Sequence, residues 1–96
     1  MQVEGRVIIC DAIDDVGITI LKKAGLIVNY KPDIESNEIL SAVRECDVII
    51  VRSRTKITKA VIDAAPNVKI IARVGVGLDN IDTDHAESKG IKVLNA

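Results

Sequence analysis

Ninety-six residues allow one domain at most, and a chain of this length buries about two-thirds of the surface that its unfolded form exposes. With 48% hydrophobic residues, a mean hydropathy of +0.26 and a single aromatic residue (Tyr30), the core must be aliphatic. Thirteen basic residues against 14 acidic ones leave a net charge of -1, which excludes a general nucleic-acid- or membrane-binding surface.

Taken in chain order, the first apolar run is Val7-Ile-Ile-Cys10. It is followed by Leu26-Ile-Val28, Val48-Ile-Ile-Val51, Ile70-Ile-Ala72 and Val93-Leu94. These runs are short and continuous rather than alternating, as strands buried on both faces of a parallel sheet are. Helical patterns lie between them. Gly17, Ile20, Leu21 and Ala24 share one face of the first helix, with Lys22 and Lys23 in its last turn and Gly25 as its stop. Ser36 is the expected cap of a second helix with the apolar stripe Ile39, Leu40, Val43 and Cys46. Thr58 caps a third, with Val61, Ile62 and Ala65 inward and Pro66 beyond its end, and Asp82 caps a short fourth that ends at Gly90.

Strands that alternate with helices, joined by right-handed crossovers, make an α/β fold: a doubly wound parallel five-stranded sheet, flavodoxin-like, in the order 2-1-3-4-5. In that arrangement a fifth helix follows the fifth strand, whereas this chain stops at Asn95-Ala96. The expectation is a sheet whose last covering helix is absent, and therefore a homodimer or larger species formed through the uncovered face. Cys10 and Cys46 form no Cys-x-x-Cys pair and read as buried, inert thiols. Without a signal-peptide pattern or a long apolar span, a cytoplasmic location is expected.

The stretch Ala72-Arg-Val-Gly-Val-Gly-Leu-Asp-Asn-Ile-Asp82 raises the question of nucleotide binding. A dinucleotide fingerprint needs Gly-x-Gly-x-x-Gly early in a βαβ unit and an acidic residue about 20 positions on. Here Asn80 replaces the third glycine, and the chain ends before the acidic partner, so no nicotinamide cofactor is expected to bind this chain alone. The two glycines instead read as a side-chain-poor turn at the carboxyl end of strand four, where open α/β sheets bind ligands. Strand three ends in Val51-Arg-Ser-Arg-Thr-Lys56, so Arg52, Ser53 and Arg73 can converge with the turn on a small anion. Arg54, Lys56 and Lys59 read as a solvated basic loop, and His85 as a solvated histidine without a nucleophile beside it.

These residues resemble the D-2-hydroxyacid dehydrogenases, and most closely their members that act on 3-phosphoglycerate. The resemblance rests on Asp47–Thr58 (DVIIVRSRTKIT), Ala65–Ala96 (APNVKIIARVGVGLDNIDTDHAESKGIKVLNA) and Val7–Gly25 (VIICDAIDDVGITILKKAG). It implies that residues 1–96 form the N-terminal portion of a substrate-binding domain, with the NAD-binding Rossmann domain and the catalytic Arg, Glu and His in a later region. It implies that Arg52, Ser53 and Arg73 hold a phosphorylated hydroxy acid, that amides around Val74, Gly75, Val76 and Gly77 grip its carboxylate, and that Asp79, Asn80 and Asn95 lie near the hinge and interdomain cleft. The parent enzyme would use NAD to oxidise 3-phosphoglycerate to 3-phosphohydroxypyruvate for serine biosynthesis, and this portion alone would be inactive. No catalytic residue and no metal site is expected in it. The alternative is a stand-alone anion-binding or phosphoacceptor receiver-like module. Asp11, Asp14 and Asp15 suit a Mg²⁺ site there, but Arg52-Ser53-Arg54 and Asn95-Ala96 stand where that chemistry needs an acceptor Asp and a Lys.

Overall fold

The computed structural model describes residues 5–95. Five strands alternate with four helices: β1 (Arg6–Ile9), α1 (Asp15–Lys23), β2 (Ile27–Tyr30), α2 (Ser36–Ala42), β3 (Val48–Val51), α3 (Lys59–Asp63), β4 (Ile70–Arg73), α4 (Thr83–Ser88) and β5 (Lys92–Asn95). All pairings are parallel, in the order β2-β1-β3-β4-β5. This is the doubly wound sheet expected from the continuous apolar runs. Central β1 and β3 carry Val7, Ile8, Ile9, Ile49 and Val51, all at 1% exposure or less, while the edge strands β2 and β5 keep exposed positions.

Crossover handedness distributes the helices. The step from β1 to β2 runs opposite to the other three steps, so α1 covers one face and α2, α3 and α4 the other. Two apolar clusters result. One joins Ile8, Ile49, Val51 and Ile71 to Ile39, Val43, Val61, Ile62 and Ala86; the other joins Val7, Ile9 and Ile50 to Ile18, with Ile13 and Leu21 packed against it. Among the described residues no helix follows β5, and α1 is the only helix on its face. Ala96, part of the sequence reading of the chain's end, lies outside the described residues.

Capping follows the sequence at α3 and α4, and at α1 the structure adds Asp14, a cap that the sequence reading did not name. Asp14 accepts from the Val16 amide at 3.0 Å, Thr58 from Val61 at 3.4 Å and Asp82 from His85 at 3.1 Å. At α2 the cap is Glu35 rather than Ser36, which is the first helical residue. Glu38 decides this, because its carboxylate reaches back to accept from the Glu35 amide at 3.1 Å. Two helix faces also differ from expectation. The buried residue of α1 is Ile18, flanked by Gly17 and Leu21, while Ile20 is 61% exposed and Ala24 is exposed. On α2, Ile39 and the following Val43 and Cys46 face the core, but Leu40 turns outward.

Both cysteines are buried. Desolvation, with the Asp11 carboxylate adding to it, pushes the Cys10 thiol up to about 12, so it stays protonated and inert. Burial raises Cys46 as well, and its thiol donates to the Ala42 carbonyl at 3.3 Å. His85 is not the solvated residue expected. Its Nε2 lies 2.7 Å from Asp63 Oδ1, and Lys89 Nζ stands 3.3 Å from the same oxygen, which links α4 to the end of α3.

Candidate functional site

The carboxyl edge of the sheet is built in register. Val51, Arg73 and Asn95 are successive ladder partners, so the segments after β3 and β4 leave the sheet side by side. They stay joined beyond the strands. Val74 donates to the Val51 carbonyl at 2.9 Å, and Ile57 and Ile81 form a further parallel bridge.

The turn after β3 is shaped by Asp11, at the end of β1 and only 3% exposed. Its Oδ2 accepts from the amides of Arg52 at 2.6 Å and Thr55 at 3.2 Å, and its Oδ1 from the Thr55 hydroxyl at 2.5 Å. Arg54 Nε stands 3.0 Å from Oδ1 as well. The rest of the Arg54 guanidinium donates to the carbonyls of Cys10 at 2.6 Å, Pro32 at 3.0 Å and Ile34 at 3.0 Å. Arg54 is therefore a strut between three loops, not the solvated cation expected, whereas Lys56 and Lys59 are exposed. The receiver-like alternative fails here, because Asp11 is committed to this turn and Asp14 to capping α1. Among the described residues no group of three acidic, His or Cys side chains is placed to hold a metal ion.

The turn after β4 is organised by Arg73. Its Nε donates to Asn80 Oδ1 at 2.9 Å, and its Nη1 donates to the carbonyls of Val76 and, at 3.3 Å, Gly77. This explains the glycines. Gly75 has φ +138°, and a Cβ there would lie 2.9 Å from Arg73 Nη1; Gly77 takes the left-handed φ of +84°. The amides of Gly75, Val76 and Gly77 have no protein acceptor among the described residues. The Val74 amide, expected to join them in gripping a carboxylate, is taken up by Val51. Asn80 is 7% exposed, and its Nδ2 donates to the carbonyls of Arg52 at 2.5 Å and Thr55 at 2.6 Å. Asp79 and Asn95, placed with Asn80 near the cleft by resemblance, are exposed.

The structure thus brings together the backbones that carry Arg52, Ser53 and the glycine turn. Ser53 and the Arg52 side chain are exposed, with Arg52 Nη1 at 3.4 Å from the Ala12 carbonyl, while the Arg73 guanidinium is spent on its own turn. The two guanidinium groups share no partner. A cleft of about 390 Å³ opens beside this edge, between α2 and α3, lined by Ile34, Ile39, Leu40, Thr55, Lys56 and Val61 among others. Sequence reasoning missed Asp11 and Asn80 as organisers of the edge. The available signals were an Asp immediately after a central strand and an amide at the position of the absent third glycine.

A dinucleotide does not fit the glycine turn. Asn80 fills the third-glycine position with its side chain buried and committed, and α4 starts only at Thr83. The Asp82 carboxylate already caps that helix, placing negative charge where a pyrophosphate would need amides.

Residues 7–96 match the family model described as D-isomer specific 2-hydroxyacid dehydrogenase, catalytic domain. Over 91 residues the chain is 45% identical to a D-3-phosphoglycerate dehydrogenase of Synechocystis, covering 95% of this chain and 16% of that protein. It is 43% identical to a hydroxypyruvate reductase of Thermotoga maritima over 90 residues, 94% of this chain and 29% of that one. The chain thus spans less than a third of the length of these relatives. Among solved structures, an NAD+-bound 3-phosphoglycerate dehydrogenase of Entamoeba histolytica superposes with a TM-score of 0.85 at 29% identity, over 97% of this chain and 33% of that one.

Proposed function

The chain belongs to the D-isomer specific 2-hydroxyacid dehydrogenases, matching their catalytic domain over residues 7–96, and from that premise we propose that it is the anion-holding wall of an NAD-dependent 3-phosphoglycerate dehydrogenase. The observation that carries this reading is the pairing of two turns at one sheet edge, one presenting Arg52 and Ser53, the other the amides of Gly75, Val76 and Gly77, which have no acceptor among the described residues. Backbone amides and a hydroxyl orient a carboxylate, and a free guanidinium takes a phosphate bidentately. Relatives named for hydroxypyruvate and for 3-phosphoglycerate match to similar extents. The second anionic group is therefore assigned from charge: Arg52, with Lys56 and Lys59 exposed nearby in sequence.

In this reading the chain's residues bind and orient the acid and donate no proton to it. Hydride transfer and its acid–base partner belong to a Rossmann domain and a later region outside residues 1–96, so the parent oxidises 3-phosphoglycerate to 3-phosphohydroxypyruvate, for serine synthesis in the cytoplasm, and the chain alone is inactive. Asp79 and Asn95, exposed at the same edge, face the other domain. Copies of the chain pair as homodimers through the sheet face on which α1 is the only helix among the described residues. Calorimetric titration tests the binding role. 3-Phosphoglycerate is expected to bind about tenfold or more tighter than glycerate, the worth of one charge-assisted contact. Equal affinity for the two acids would remove the phosphate assignment, and absence of binding to either would remove the anion wall.

A further inference from the structure

We propose that Asn80 is a positioning residue that locks the two anion-binding turns into one cradle, acting through Arg73 on the glycine turn and directly on the carbonyls of the turn after β3. This deepens the function proposed above and rests on it. The Asn80 carboxamide has one acceptor atom and two N–H donors. Oδ1 takes the Arg73 Nε–H at 2.9 Å, and Nδ2 serves the carbonyls of Arg52 at 2.5 Å and Thr55 at 2.6 Å. These partners fix which way the amide faces, since a flipped amide would set its oxygen against two carbonyls and its nitrogen against a guanidinium N–H. The backbone of Asn80 adds a fourth tie, accepting from Ile57 at 2.8 Å.

Arg73 carries the constraint onward. Held at Nε, its guanidinium draws the carbonyls of Val76 and Gly77 toward itself. Because the N–H of a trans peptide points away from its own carbonyl, holding the Val76 carbonyl turns the Gly77 amide outward, and among the described residues the amides of Gly75, Val76 and Gly77 have no protein acceptor. Arg73 thereby splints the amides that meet the anion, and its own charge is spent on neutral and backbone acceptors. An aspartate at position 80 would keep the Arg73 contact but turn a carboxylate on the Arg52 and Thr55 carbonyls, so only the amide satisfies all three neighbours.

A double-mutant cycle on the whole 96-residue chain tests this, with 3-phosphoglycerate as probe and the folded fraction of each variant verified by urea titration. Arg73→Ala is expected to weaken binding about tenfold, Asn80→Ala at least as much because it also releases the turn after β3, and the double variant no more than Asn80→Ala alone. Arg73→Lys, which keeps the charge but loses the forked geometry, should weaken binding as Arg73→Ala does. Additive losses, or wild-type affinity in Arg73→Lys or Asn80→Ala, would overturn the positioning role and leave the anion wall standing. A wild-type chain that binds no acid would overturn both. If the position-80 variants do not fold, the wild-type Asn80 side-chain amide is followed by NMR. Slow proton exchange and a resonance shift on adding 3-phosphoglycerate support the proposal, and fast exchange or an unmoved resonance overturns it.

Discussion

Gly75 sits at φ +138° with the Arg73 guanidinium against the space a side chain would need. Both constraints act on one atom, so Gly75→Ala must strain the backbone and displace Arg73. The expected loss is about 1–3 kcal/mol of unfolding free energy, read from urea denaturation. A variant as stable as the wild type would mean that the turn is looser than this geometry requires. At this scale Asn80 at the third-glycine position, with no acidic partner about 20 residues on, already spoke against a dinucleotide loop in the sequence. The sequence did not show that Arg73 would bond its own turn. Strand periodicity says that Arg73 ends β4, but the acceptors of its side chain are carbonyls seven or fewer residues on, whose directions depend on two positive φ values. Arg54 was misread for a similar reason: a basic run reads as solvated unless the partners, here Asp11 and three carbonyls, are known to arrive from other loops.

The helix caps at α3 and α4 were legible because they are local, an oxygen placed three residues before the amide it serves, whereas at α2 the reach of Glu38 back to Glu35 moved the cap off Ser36. Helix faces were legible at α3, where Val61, Ile62 and Ala65 are buried as expected, but not at α1. Val16, Ile18 and Ile20 alternate along α1, which on a helix spreads apolar side chains around the axis, and the sheet then selects Ile18. At α4 the tie is tertiary. The carboxyl of Asp63 is held below its ordinary range, first by the hydrogen bond from His85 and then by Lys89, with partial desolvation opposing them. A carboxyl lowered in the folded state adds stability at pH above its unfolded value and loses it as pH falls through the folded one. Thermal melts of wild type and Asp63→Asn should therefore differ at neutral pH and converge on acidification below about pH 4. A gap that stays constant with pH would show that the α3–α4 contact does not rest on this carboxylate.

Across the whole molecule, strand order and handedness were legible because short continuous Val/Ile runs, separated by helices, admit few topologies. One consequence is asymmetry. Ala72 belongs to the cluster on the α1 face, and Leu94 is its ladder partner, so Leu94, at 42% exposure, lies on the face that α1 covers alone among the described helices. Half-buried Val48 and Ile70 continue that face. Sedimentation is expected to show a dimer at high micromolar concentration that Leu94→Lys shifts toward monomer; a monomer throughout would remove the proposed pairing. The meeting of the turns after β3 and β4 follows from the same topology, since neighbouring parallel strands deliver their carboxyl ends to one place. What topology could not supply was the pair of polar residues, Asp11 and Asn80, that set how those ends face each other.

The central claim is that these two turns form a single anion cradle, and amide chemical-shift mapping of the 96-residue chain against 3-phosphoglycerate tests it most directly. The predicted result is a saturating shift at Arg52, Ser53, Gly75, Val76 and Gly77 with one common dissociation constant, while amides of β2 and α1 stay still. Shifts confined to one turn, or gathered instead around the cleft between α2 and α3, would contradict it.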